Sequence, residues 1–227
     1  MKNVIITGAS GMVGGLILQE CLERGDVGRV TVLVRRTLGI THPKLREVIH
    51  SDFTHFEPDS DFLRDQQVAY FCIGVYTGTV DRERFRQITV DYPRFFAEAL
   101  LAASGPQLAF CLLSGQGADR SEKSRIAFAK DKGIAENHLL GLGFERVHLF
   151  RPGFIYPVTP RAEPNFSYRL MRWLYPNFLS KVYPNIGLTS VQLAAVMTEV
   201  GLRGGSLDTY ENRDLRQHPR ATSEAPI

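Results

Sequence analysis

Thr7-Gly8-Ala9-Ser10-Gly11-Met12-Val13-Gly14 decides the fold of this chain. It stands between a short apolar run, Asn3–Ile6, and a helical pattern over Met12–Arg24. Glycines at this spacing, between a strand and a helix, each have a job. Gly8 permits a tight turn, Gly11 removes a side chain where backbone must approach a pyrophosphate, and Gly14 lets helix and strand pack closely. Free N–H groups at the helix start bind phosphate anions. The expected cradle is therefore Gly8, Ala9, Ser10, Gly11, Met12 and Val13. A glycine-rich turn without a ligand is the competing reading.

Outward from this loop, short β-branched runs alternate with helical patterns. Val30–Val34 is a continuous apolar run, as a strand buried on both faces should be. Leu45–Ile49, Val68–Ile73, Leu108–Leu113 and Arg146–Phe150 read as further strands, and Leu207–Leu215 as a last one. Asp81–Ala103 reads as one long helix, with Phe85, Ile88, Tyr92, Phe95 and Phe96 spaced three to four apart. Ser124–Leu140 and Ser190–Gly201 are further helices, with Ser190 as N-cap of the second. This alternation predicts an α/β fold: a doubly wound, mostly parallel Rossmann sheet. Pro152 to Pro184 breaks the rhythm with prolines and aromatics. Residues 1–216 are expected to form one nucleotide-binding domain, 152–189 an irregular C-terminal cap on the substrate side, and 217–227 a flexible tail.

The 227 residues are 44% hydrophobic and 22% charged, as in a globular domain. Such a chain can bury roughly 70% of the surface its unfolded form exposes. The net charge of +3, with no dense Lys/Arg cluster, argues against a nucleic-acid partner. No run approaches the ~20 apolar residues of a membrane span, and the N-terminus lacks signal-peptide features, so no membrane partner is expected. Cys21, Cys72 and Cys111 lie in apolar surroundings without metal-ligand spacing. Reduced, buried thiols imply a reducing compartment, read here as cytoplasmic, and no metal site.

The end of the second strand bears on which nucleotide the loop would take. An acidic residue there would favour NAD; here the strand runs into Arg35-Arg36. Guanidinium groups pair with a 2′-phosphate and stack on adenine, so NADP(H) is expected ahead of NAD(H). Asp52 and Phe53 follow the third strand, where Asp52 would meet the adenine amino group or cap a turn. Ile73 and Gly74 follow the fourth strand and should pass near the cofactor ribose. Tyr76, in the same loop, would face the reactive end or stand exposed.

The segments "VIITGASGMVGG", "VTVLVRR", "LLSGQGADRSEKS", "AKDKGIAE", "LFRPG" and "YENRDLR" together resemble the short-chain dehydrogenase/reductase superfamily. Within it they are similar to the atypical group of small NAD(P)H-binding proteins. In that superfamily a serine and a tyrosine hold a substrate carbonyl, and the tyrosine exchanges the proton. A lysine four residues later holds the cofactor ribose and lowers the tyrosine pKa. The resemblance places the serine at Ser114, the lysine at Lys132, and Arg151 and Pro152 beside the cofactor. The tyrosine position is Phe128, which has no proton to exchange. Tyr76, Lys130, Asp131, Tyr156 and Tyr168 are the substitutes the chain contains.

Two functions follow. One is an NADP(H)-dependent oxidoreductase reducing a small apolar or aromatic carbonyl compound beneath the cap. The other is a non-catalytic NADP(H) sensor that reports cofactor occupancy to a protein partner. A weaker third is an interaction module with a purely structural nucleotide site. The resemblance also admits a homodimer packed through helices.

Overall fold

The computed structural model describes residues 1–57, 59–76, 78–158 and 186–220. The first half of the chain runs β1 (Lys2–Thr7), α1 (Met12–Glu23), β2 (Val27–Val34), β3 (Leu45–Ile49), β4 (Val68–Phe71), α2 (Arg82–Arg86), α3 (Tyr92–Ser104) and β5 (Ala109–Leu113). It continues with α4 (Ala127–Gly141), β6 (Arg146–Arg151), β7 (Phe154–Tyr156), β8 (Gly187–Thr189), α5 (Ser190–Arg203), β9 (Thr209–Glu211) and α6 (Asn212–Gln217). Seven strands form one sheet in the order β3-β2-β1-β4-β5-β6-β9, parallel at every pairing. β7 and β8 form a separate parallel pair.

The two-residue period of β1 sorts its side chains between two cores. Val4 and Ile6 face a layer holding Ile17 and Leu18 of α1 and Val196 and Met197 of α5. Ile5 faces the opposite layer, with Phe96 and Leu100 of α3 and Leu139 of α4. Burial on both faces explains why the central strands read as continuous apolar runs. The strand order reverses between β1 and β4, and a crevice opens beyond the carboxyl ends of strands at such a switch point.

Three elements differ from expectation. The helix over 81–103 contains a π-turn, Gln87–Asp91, between α2 and α3. Pro93 explains it: a proline inside a helix has no N–H to donate, and its ring strikes the carbonyl four residues back. The N-cap of α5 is Thr189, whose hydroxyl accepts from Gln192 N at 3.1 Å while Gln192 Oε1 accepts from Thr189 N; Ser190 is the first helical residue. The segment expected as one strand over 207–215 is split into β9 and α6 by a capping box of Glu211 and Asp214. Most of the proposed cap, Tyr168 included, and residues 221–227 of the tail lie outside the described residues.

Candidate functional site

The glycine loop closes as its spacing requires. Gly8 has φ +76°, and a Cβ there would lie 2.6 Å from the Cys72 carbonyl carbon at the end of β4. A Cβ at Gly14 would lie 2.4 Å from Gly8 O, so helix and turn touch backbone to backbone. Gly11 precedes α1 and caps it with no side chain, and the first turn holds no carboxylate. The positive end of the helix thus faces the crevice without an internal anion.

A cleft of about 180 Å³ opens from this loop. Its walls include Ser10, Gly11, Arg35, Phe53, Ile73 and Gly74, six of the residues expected from sequence. Asp52 takes the turn-capping alternative. Its carboxylate accepts from Thr54 N at 2.9 Å and Thr54 Oγ1 at 2.6 Å, and the Thr54 hydroxyl holds its pKa below the usual range. Arg36 is exposed beside Arg35. Tyr76 belongs to a turn in which its carbonyl accepts from Thr79, and it lines neither this cleft nor the cavity described next.

The second cavity, about 430 Å³, lies beyond the carboxyl ends of β5 and β6. Ser114, Gly115, Phe128, Pro152, Phe154 and Ile186 are among its lining residues. Ser114 borders it, yet the Ser114 hydroxyl donates to Glu136 Oε1 at 2.5 Å. Glu136 is fully buried. A buried carboxylate requires close compensation, which Arg151 supplies: Nε reaches Oε1 at 2.9 Å, and Nη2 grips Oε2. Arg151 Nη1 in turn reaches Glu211 Oε1 at 2.8 Å. These ion pairs, Glu136 first, push the Arg151 pKa upward. One chain of contacts thus ties α4 to the ends of β5, β6 and β9.

Gly115, rather than Ser114, faces the tip of the Phe128 ring: a Cβ on Gly115 would lie 2.7 Å from Phe128 Cζ. Cζ is the atom that would carry a tyrosine hydroxyl. Around that point neither residue offers an exchangeable proton. Phe128 packs at 6.5 Å between ring centroids against Phe85 of α2. Asp131, a candidate substitute acid, is fully buried beneath α2, where Arg82 holds it at 2.5 and 2.8 Å. Lys130 is exposed and projects in a different helical direction, about 100° away.

Lys132 is half-buried, and its ammonium donates to Leu113 O at 3.2 Å. Burial lowers its pKa from 10.5 to about 8, partly opposed by the Glu136 charge. The unfolded chain therefore holds this proton in a pH window where the folded chain does not. The stability cost of the buried charge is complete below about pH 8 and is relieved as pH rises toward 10.5. Lys132→Met is expected to gain most over wild type near neutral pH, with the gain shrinking as pH climbs through that window. Urea midpoints across the range check this; a pH-independent difference contradicts it.

Sequence reasoning missed Glu136 and Gly115. Glu136 carried a signal: it sits four residues after Lys132, on the same helical face, and an arginine closes β6. Gly115 carried none, because which of two adjacent residues meets the ring depends on the path of the loop.

The parallel sheet, the glycine cleft at its switch point and the lysine-bearing α4 give this chain a fold like that of the NAD(P)-binding short-chain dehydrogenase/reductases, which it resembles. It is similar to protein HTATIP2 of Rattus norvegicus, 27% identical over 222 residues, spanning 94% of this chain and 88% of that protein. Protein fmp52, mitochondrial, of Aspergillus clavatus is 27% identical over 209 residues, spanning 90% and 87%. Two solved structures share the fold. Candida albicans Gre2, in complex with NADPH, aligns with TM-score 0.65 at 16% identity, over 88% of this chain and 74% of that one. Bordetella bronchiseptica WbmH, in complex with NAD+, gives 0.64 at 17%, over 93% and 75%. No family model matches the chain.

The fmp52 relatives are named mitochondrial, which overturns the expectation of a cytoplasmic compartment. Cys21 and Cys111 are buried and Cys72 is partly buried, with the Cys21 and Cys72 thiols pushed up to about 12 by desolvation. They do not distinguish one reducing compartment from another. Among the described residues no helix is long and apolar enough to cross a membrane.

Proposed function

We propose that this protein binds NADP(H) in the glycine-loop cleft and acts as a nucleotide sensor rather than as a carbonyl reductase. The residues fit such a ligand: the Gly8–Gly14 cradle has room for backbone approach only, and Arg35 stands at the cleft wall to meet a 2′-phosphate. Gly8, Ala9, Ser10, Gly11, Met12 and Val13 would hold the pyrophosphate. Ile73, Gly74 and Lys132 would hold ribose, with Arg151 and Pro152 supporting the nicotinamide end. Bound there, the nicotinamide would supply hydride chemistry.

The observation carrying the sensor reading is the Phe128 ring over Gly115. Losing general acid–base help costs roughly 10²–10⁴ in rate. The Ser114 proton is directed to Glu136, so Ser114 offers the cavity its lone pairs. A reductase remains the second reading, favoured by the 430 Å³ cavity with its wall of Phe128, Phe154, Ile155 and Ile186, which suits a small apolar or aromatic substrate.

Thermal shift with NADPH and NADH, then turnover of a carbonyl and quinone panel, tests both. The wild type is expected to bind NADPH more tightly than NADH and to turn over nothing. Phe128→Tyr is expected to acquire turnover at least about 10²-fold above the detection floor at which the wild type stays, the lower end of acid–base assistance. Wild-type turnover abolished by Lys132→Ala supports the reductase instead. No shift with NADPH sinks both readings, and equal affinities for the two nucleotides contradict the role of Arg35 and Arg36.

A further inference from the structure

The cleft has a second arginine. Arg84 lines it together with Arg35, although Arg84 is 49 positions downstream and on a different element. Its position is set from both ends of α2. Asp81 caps that helix by accepting from Arg84 N at 2.7 Å, and the Arg84 guanidinium donates to Gln87 Oε1. The guanidinium also lies 5.4 Å above the Tyr92 ring, and Tyr92 lies 5.5 Å from Phe53, centroid to centroid. Arg84, Tyr92 and Phe53 therefore make a continuous cation–aromatic wall along one side of the cleft.

The π-turn accounts for this alignment. Arg84, Ile88 and Tyr92 all line the cleft and are spaced four apart. In a regular α-helix each four-residue step overshoots a full turn by about 40°, so three such residues drift around the helix. The wider turn at Gln87–Asp91 under-winds the helix between them and cancels drift. A π-turn at such a place is often tied to function, and here it keeps a cation on the same line as the ring beneath it.

We propose that Arg84 is a specificity-determining residue of the nucleotide cleft, closing with Arg35 on the phosphate of a 2′-phosphorylated adenosine. This rests on the NADP(H) reading above and goes beyond it by assigning a second arm from the helical side. Two guanidinium groups from separate elements give a dianionic phosphate charge-assisted hydrogen bonds on two sides. Neither arm has a partner of that kind in an adenosine bearing a 2′-hydroxyl.

Calorimetric titration of the full chain with 2′,5′-ADP and with 5′-AMP tests this without any turnover. Wild type is expected to prefer 2′,5′-ADP. Arg84→Ala is expected to weaken 2′,5′-ADP about tenfold or more, the loss of one charge-assisted hydrogen bond, and 5′-AMP by less than about twofold. Arg84→Lys should recover part of the loss. Equal weakening of both nucleotides by Arg84→Ala, or no weakening, overturns the proposal while leaving the NADP(H) reading intact. A wild type that binds the two nucleotides equally overturns that reading as well. Arg84 is exposed, and melting of the free variant at the wild-type temperature verifies that folding is unaffected.

Discussion

Glu136→Ala is expected to melt about 6–20 °C below wild type. Removing one partner of a buried ion pair costs about 3–5 kcal/mol, and in a chain of this size each kcal/mol moves the midpoint by about 2–4 °C. Glu136 accepts from the Ser114 hydroxyl and from two nitrogens of Arg151. Its loss leaves the Arg151 guanidinium, only 11% exposed, with Glu211 as its remaining carboxylate. Glu136→Gln keeps the shape and loses the charge, so it should fall between the two. The double variant Glu136→Leu/Arg151→Met should recover much of the stability, since it removes the buried charge and its counter-charge together. Scanning calorimetry on the four proteins decides the matter. A single Ala variant within about 1 kcal/mol of wild type would falsify the assignment of this network as a structural anchor.

Gly133→Ala is expected to destabilise, against the helical rule. In an exposed helix interior the change gains about 1 kcal/mol. At Gly133, however, the new Cβ would lie 1.8 Å from the Asp119 carbonyl oxygen. That oxygen belongs to a loop pinned on the helix: Asp119 N donates to Ala129 O at 2.8 Å, and the Asp119 carboxylate accepts from Ser121, Lys123 and Ser124. Backbone held this way cannot swing aside as a side-chain end can. A net loss of about 1–3 kcal/mol follows from overpacking, along with displacement of the loop that carries Gly115 and Gln116 toward the cavity. Gly141→Ala on the same helix, where a Cβ meets nothing within 4 Å, provides the control and should be neutral or stabilising. Urea midpoints shifting in the same direction for both would contradict the explanation.

Much of the fold was legible because its signals are local. The apolar runs of β2, β4 and β5 reveal strands buried on both faces, and the glycine spacing after β1 reveals the turn and the helix start. Pro93 was equally visible, but the apolar period around it outweighed it, and the π-turn was missed. At the site, Gly8 through Gly14, Arg35, Phe53 and Gly74 lie where a strand–turn–helix plan puts them, since each stands within seven residues of a strand's carboxyl end. Glu136 was less legible. The segments containing it, Ser114, Arg151 and Glu211 could be matched to a family pattern without disclosing that their side chains meet. That meeting depends on three strand ends and one helix coming together, which no single window contains. Arg84 was missed for the same reason: nothing near it in sequence belongs to the nucleotide loop.

The network has a consequence for the nascent chain. Among the described residues, those lining the 180 Å³ glycine-loop cleft lie between positions 8 and 92, so these pieces leave the ribosome early. Arg151 must wait: Glu211, its outer partner, follows 60 residues after it, and Asn212, which accepts from the Gly153 amide, follows 59 residues after that glycine. Domains emerge and gather from the N-terminal side. During synthesis there is thus an interval in which the described walls of the glycine-loop cleft are outside the ribosome while the arginine beside the second cavity still lacks its final carboxylate. Closure of that half belongs to the last elements made, β9 and α6.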